Sequence, residues 1–236
     1  MVLKAFAKMT ILTIAMIVSQ SSESQRAVVP LNSVRVGAVA ARNSSLSHLF
    51  SQLSENTNIA FCFENRKSDK TDTLGSLSIN LSINPDEDLQ TVLIRLARNY
   101  PVVAWRIEAG TIVIKSTGIK DDPLDAMIKP FSFKGTVKEF VEYLNSRVPG
   151  LLAGVLSISS AYDSKAVYAL DFKSDISVGG ALSTLTREYG IRWGADIRDE
   201  GILVQIPGGA EGKTDQARTG RVTLMFSRGS IPQLVR

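Results

Sequence analysis

A chain of 236 residues, 44% hydrophobic and 21% charged, has room for one large domain or two small ones and can bury a core. With 27 Lys+Arg against 23 Asp+Glu the net charge is +4, too slight an excess for a dedicated nucleic-acid binder. One Cys and one His exclude a disulfide framework, a structural zinc cluster and most catalytic triads.

Residues 1–24 open the chain. Lys4 and Lys8 are followed by an uncharged, mostly apolar run over 9–18, then by Ser19, Ser21, Ser22 and Ser24. That layout is a secretory signal peptide. A membrane-spanning helix needs about 20 apolar residues, and this run is half as long, so cleavage and export are expected. Cutting after Ser24 removes Lys4, Lys8 and Glu23 and leaves 25 − 22 = +3. Cys62, among apolar and aromatic neighbours over 59–63, then has no partner in its own chain, and a buried thiol is expected.

A leading strand is predicted over 34–39. Ser44 or Ser45 caps a helix reaching Thr57, with Leu46, Leu49, Phe50 and Leu53 on one face. A strand over 59–63 and a polar loop over 64–76 follow. Leu77, Ile79, Leu81 and Ile83 alternate with polar residues, the pattern of a half-buried strand. Asn84-Pro85-Asp86 is expected to start a second helix lined by Leu89, Val92, Leu93 and Leu96, its acidic residues at the positive end of the dipole. Strands over 102–107 and 111–115 then form a hairpin across Glu108-Ala109-Gly110. Residues 117–129 read as a linker.

The order then repeats. Phe131 and Phe133 mark a strand, and Thr136 with Glu139 fits a capping box for a helix to Arg147. Strands are predicted over 155–158 and 167–172, and a helix over 176–189. Gly179 and Gly180 weaken that helix by about 1 kcal/mol each relative to Ala, which suggests close packing against a sheet. Gly190 stops it. A final hairpin is expected from 191–197 and 202–206, turning at Asp199-Glu200-Gly201, with 207–236 as a flexible tail. In that tail the apolar stretch 222–226 either docks onto a sheet or joins another protein's sheet edge.

The two stretches match residue by residue. Adding 89 to Leu89, Val92, Leu93, Leu96, Arg98 and Tyr100 gives Val178, Ala181, Leu182, Leu185, Arg187 and Tyr189. Adding 91 to Leu46, Leu49, Phe50 and Leu53 gives Val137, Phe140, Val141 and Leu144. Near-constant offsets over several segments point to an internal repeat. The fold expected is α+β: two tandem small domains, 34–116 and 130–206, each with two helices packed on one face of a small mixed β-sheet.

Each unit resembles the short N-terminal domain shared by secretins and TonB-dependent receptors, and is similar to a domain at the C-terminal end of FecR-like proteins. The resemblance rests on Leu46, Leu49, Phe50 and Leu53, then Asn58-Ile59-Ala60-Phe61. It continues through Leu89, Val92, Leu93, Leu96, Tyr100, Trp105 and Gly110-Thr111-Ile112-Val113-Ile114. In the second unit Ala181, Leu182, Leu185, Tyr189-Gly190-Ile191, Trp193 and Gly201-Ile202-Leu203-Val204 carry it. It implies a periplasmic interaction module linked to secretion or outer-membrane transport, here without a long β-rich region to form a pore or receptor barrel.

No residue pattern announces catalysis, and no cofactor or metal is expected. His48 is a lone helix residue. Ser157, Ser159 and Ser160 lack nucleophile-elbow glycines, and Gly179-Gly180 and Gly208-Gly209 lack phosphate-loop spacing. Asp121-Asp122 and Asp86-Glu87-Asp88 read as linker and helix start before cation site. Trp105 and Trp193, at comparable places in the repeats, read as packing residues. The expected function is non-enzymatic: partners, or another copy of the chain, add to sheet edges. The alternative is an exported enzyme or small-ligand or glycan binder whose cleft between units gathers Asp163, Asp171, Arg192 and Asp196.

Overall fold

A computed structural model describes residues 28–67, 72–119, 121–148, 150–151, 153–157, 165–204 and 218–236. The expected signal segment, 1–24, lies outside them. In chain order the elements are β1 (Val28–Val29), a 3-10 turn (Leu31–Ser33), β2 (Val39–Ser45), α1 (Leu46–Thr57), β3 (Phe61–Lys67), β4 (Ser78–Ile83), α2 (Leu89–Asn99), β5 (Val103–Glu108) and β6 (Thr111–Ser116). A second 3-10 turn (Pro123–Asp125) follows, then β7 (Met127–Ile128), β8 (Phe131–Gly135), α3 (Val137–Arg147), β9 (Ala153–Ser157), β10 (Tyr168–Phe172), β11 (Ile176–Ser177), α4 (Val178–Tyr189), β12 (Ile191–Val204), β13 (Arg218–Arg228) and β14 (Leu234–Val235). The fold is α+β, four helices with one six-stranded sheet and several two-stranded ladders.

Each helix starts where a short polar side chain accepts from the first turn. Ser45, Asp88 and Ser177 cap α1, α2 and α4, and Thr136 with Glu139 forms the full capping box of α3. Asn58 and Gly190 end α1 and α4 in the left-handed conformation, at φ 53° and 69°. The second helix begins at Leu89, later than Asn84-Pro85-Asp86 suggested. Those residues form a turn closed by Glu87 N donating to Asn84 O, because Asp88 is the better placed cap.

The six-stranded sheet runs β5-β6-β3-β12-β13-β9. Within each trio a hairpin (β5/β6, β12/β13) is extended by a parallel strand (β3, β9). The trios join through parallel pairing of β3 with β12, from Phe63 opposite Gly194 to Lys67 opposite Arg198. Phe61, Ile112 and Ile114 enter a core with α1 and α2, while their neighbours Cys62 and Val113 enter the other core, with α3 and α4. Successive side chains of a strand alternate faces, so the two helix pairs cover opposite faces of one sheet.

Residues 31–116 and 123–228 run the same course: 3-10 turn, strand, helix, strand, strand, helix and hairpin. The correspondence reaches single hydrogen bonds. Tyr100 Oη accepts from Asn80 N at 2.7 Å and donates to Asn80 O at 3.3 Å; Tyr189 Oη makes both bonds to Ala169. Leu89 N donates to Val34 O as Val178 N donates to Ala126 O. The stretch expected to be a linker, 117–129, is therefore the lead-in of the second half, with Leu124 and Ile128 in its core.

Several expectations are corrected. The helices do not rest on one small sheet per unit. Strands β2 and β4, and likewise β8 and β10, pair apart as two-stranded ladders, and each helix pair shares its core with one ladder and one trio. The leading strand is Val39–Ser45 in place of 34–39, and β3 extends through Lys67 into the expected loop, where β6 pairs with it as far as Glu64 and β12 as far as Lys67. No hairpin turns at Asp199-Glu200-Gly201. Instead β12 continues to Val204 and pairs with β13 across a register shift between Ile197 and Ile202.

Of the expected tail, 207–217 lie outside the described residues, and 218–236 are not free. Val222, Leu224 and Phe226 of β13 are buried in the second core, the most apolar side chains of that stretch filling the middle of the trio. The last residues then cross to the first half. Gln233 N donates to Asn58 O at 2.8 Å, β14 pairs with β1, and Val235 is buried in the first core.

Tyr100→Phe and Tyr189→Phe each remove one clamp between a helix end and a ladder. Each is expected to lower unfolding stability by about 1 kcal/mol, additively in the double variant, as read by urea denaturation.

Candidate functional site

The seam between the halves holds the densest chemistry. Glu64 on β3, fully buried, accepts from Arg106 Nη2 of β5 at 2.5 Å, and Lys115 Nζ of β6 lies 3.6 Å from its second oxygen. These residues point to the face away from α1 and α2, being neighbours of core residues that point the other way. Lys115 also meets Asp122 at 2.6 Å and Asp125 at 3.2 Å; Arg106 meets Glu108 at 3.1 Å and Asp125 at 3.2 Å. Ser177, the cap of α4, donates to Glu108 at 3.4 Å. A Cβ on Gly179 would lie 2.6 Å from Glu108 Oε2, so the glycine lets α4 start against the first half's sheet. Close packing explains that residue, as its position in the sequence suggested.

Electrostatics in the cluster follow burial. Desolvation pushes the Glu64 carboxyl up to about 8, against the pull of Arg106 and Lys115. Glu108 is raised for the same reason, with Arg106 opposing. Burial alone would lower Arg106 and Lys115, but the surrounding carboxylates outweigh it and raise both. The cluster pins the 3-10 turn and α4 to the back of the first half's sheet. Beside it, Cys62 is fully buried, its Sγ 3.5 Å from Thr186 Oγ1, and burial pushes the thiol up to about 11. A thiol so placed is a core residue, as expected. Among the described residues no His, Cys, Asp and Glu side chains gather as metal ligands.

Two concavities border the seam. A depression of about 560 Å³ is lined by Asp121, Asp122, Asp125, Val148 and Leu151 among others. A groove of about 310 Å³ separates α1 from the uncovered face of β12 and β13, with Phe50, Phe63, Arg192, Trp193 and Met225 in its walls.

Among the described residues the sheet ends in two open edges. Val102 O accepts from Thr117 N at 2.9 Å, which makes 104/115 and 106/113 the hydrogen-bonded pairs of the β5/β6 hairpin and turns the backbone of Trp105 and Ile107 outward. On β9 the outward groups of Ala153 are taken by the Asn145 side chain, at 2.7 Å each. The alternation leaves the backbone of Val155 and Ser157 facing outward as well.

The structure scatters the candidate cleft residues. Asp171 lies on a two-stranded ladder with Ser132 and Lys173, Asp196 is held in the large sheet by Asn65 and Lys67, and Arg192 lines the groove. Asp163, Ser159, Ser160 and Gly208-Gly209 lie outside the described residues, and Ser157 ends β9. His48 is an exposed helix residue. Asp88 and Asp122 serve as caps. Trp105 is half-buried opposite Ile114 and Trp193 buried opposite Phe226, each packed on the core of its own half as a packing residue. Sequence reasoning missed the Glu64 cluster by placing Glu64 in a loop. The usable signal was the alternation of Arg106 and Lys115 with core residues on the hairpin.

Comparison with protein-family models, curated proteins and solved structures finds no match.

Two outcomes test the seam. Between pH 4.5 and 8 Glu64 ionises in the unfolded chain before it does in the fold, so its contribution to stability falls as pH rises through that window. Glu64→Gln should therefore show a shallower decline in Tm from pH 5 to pH 8.5, a window set by that shift; an unchanged slope would refute the assignment. Cys62 should resist a thiol reagent in the native protein and react at once in urea.

Proposed function

We propose that the chain is an exported, non-enzymatic interaction module of the cell envelope. In this reading it consists of two tandem units, copied from one ancestor and similar to the short N-terminal domain of secretins and TonB-dependent receptors. Its place is the periplasm, and its role belongs to secretion or outer-membrane transport, as that resemblance implies.

The observation that carries the reading is the pair of open edges. Among the described residues no strand pairs with the outer side of β5 or β9, and such edges pair with added strands. The titratable groups of the seam serve as ties between elements. No described helix is long and apolar enough to cross a membrane.

A second reading, binding of a small ligand or glycan, is favoured by the groove, where aromatic walls meet the Arg192 guanidinium. Photo-crosslinking in the producing cell separates the two. A photoreactive residue replacing Ile107 should give a discrete protein adduct, lost when Trp105→Pro removes an outward donor. The same probe at exposed His48 should give none. Equal labelling at both positions would refute edge binding. Saturable glycan binding abolished by Arg192→Ala would favour the groove.

A further inference from the structure

The seam between the halves is a contact between unlike surfaces. The first half contributes β3, the parallel strand of its trio, and the second contributes β12, the first strand of its hairpin. In the correspondence of the halves, β9 is the counterpart of β3 and β5 is the counterpart of β12. A contact of unlike surfaces, used once between two similar units, leaves one of each surface free. Those two are the outer strands of the sheet, β5 at one end and β9 at the other.

We propose that the chain associates with copies of itself by pairing β9 of one molecule in parallel with β5 of the next, repeating the β3–β12 seam. This rests on the edge-binding reading above and names the partner. Along the sheet each half reverses strand direction and presents its helices on the opposite face relative to the half before it. That relation is a two-fold screw along the width of the sheet. A head-to-tail contact that does not close generates an open filament.

The helices give an independent argument. In the second half α4 is buried at nine consecutive positions, Val178 to Thr186, because it packs on its own core and on the back of the first half's sheet. Its counterpart α2 is buried only at Leu89, Val92, Leu93 and Leu96. The residue of α2 that matches fully buried Ser183 is Ile94, which is 53% exposed. A large apolar side chain stands exposed at the position that the seam covers in the other half. The receiving surface also has a counterpart. On the back of the second trio, around Gly154, a Cβ would meet nothing within 4 Å. Among the described residues the back of the second trio is therefore open at Gly154 to α2 of the next molecule.

Carrying the seam's register over row by row sets Val155 of one copy opposite Ala104 of the next. The side chain of Ile94 then comes down beside Gly154.

Sedimentation velocity of the purified protein, with two variants, tests this. The native chain should form a concentration-dependent series of oligomers without a closed end point. Ile94→Glu blocks one end and Gly154→Lys the other. Both residues are exposed, so each variant should keep the native far-UV spectrum and Tm while association weakens about tenfold or more. Mixed together, the two blocked chains retain one good end each. They should form a one-to-one dimer and nothing larger. A native chain that stays monomeric, or a closed dimer untouched by either variant, would overturn the proposal. So would a mixture that restores no dimer. A monomeric chain that still gives the Ile107 adduct with a different protein would sink self-association alone and leave edge binding standing.

Discussion

One parallel ladder, β3 against β12, carries the architecture. Without it each half would expose a strand edge and the back of its sheet, including Cys62, Val113 and the Glu64 cluster on the first. With it, six strands form a continuous sheet and α4 closes over the first half's back face. Neither trio is wide: three strands and two helices bury modest apolar area, and small units of this kind are marginal alone. The seam and the returning C-terminal strand, which plants Val235 in the first core, make each half a part of the other's stability.

The charged cluster fits this picture as a device of register. A buried carboxylate between Arg106 and Lys115 is costly to desolvate, and replacing such groups by apolar ones is often neutral or stabilising. What the cluster supplies is direction. Glu108 meets Ser177 and Lys115 meets Asp122, so the start of α4 and the preceding 3-10 turn have one docking position on the sheet. Gly179 leaves room there for the ends of the Glu108 and Arg106 side chains. Specificity of docking matters more where the apolar surface alone, chiefly Cys62 and Val113, is small.

Helices were the most legible part of the chain. The i, i+3, i+4, i+7 stripes of α1 to α4, the Thr136–Glu139 box and the Gly190 stop follow from local chemistry, and the residues they predicted as core are core. The offset between Tyr100 and Tyr189 was readable too, though not its meaning as a clamp on the ladder. Strand partners were not legible. Alternation in Leu77 to Ile83 marks a half-buried strand but says nothing about which strand lies beside it, and β4 left the main sheet for a ladder with β2. The last hairpin failed for the same reason: 191–197 and 202–206 read as two strands around Gly201, while the true partner, 218–228, lay beyond a Gly-rich stretch. The Glu64 cluster was hidden because its members stand on four separate elements.

The sequence by itself determined the local units: helix spans and caps, the apolar faces, the alternation of strands and the repetition of the whole order along the chain. These depend on contacts within a few residues, where side-chain spacing decides. Only the tertiary structure decided that the two halves share one sheet, that 222–226 forms its interior and that Cys62 lies at a seam. Strand pairing joins residues more than a hundred positions apart, and a backbone edge carries no side-chain pattern that names its partner.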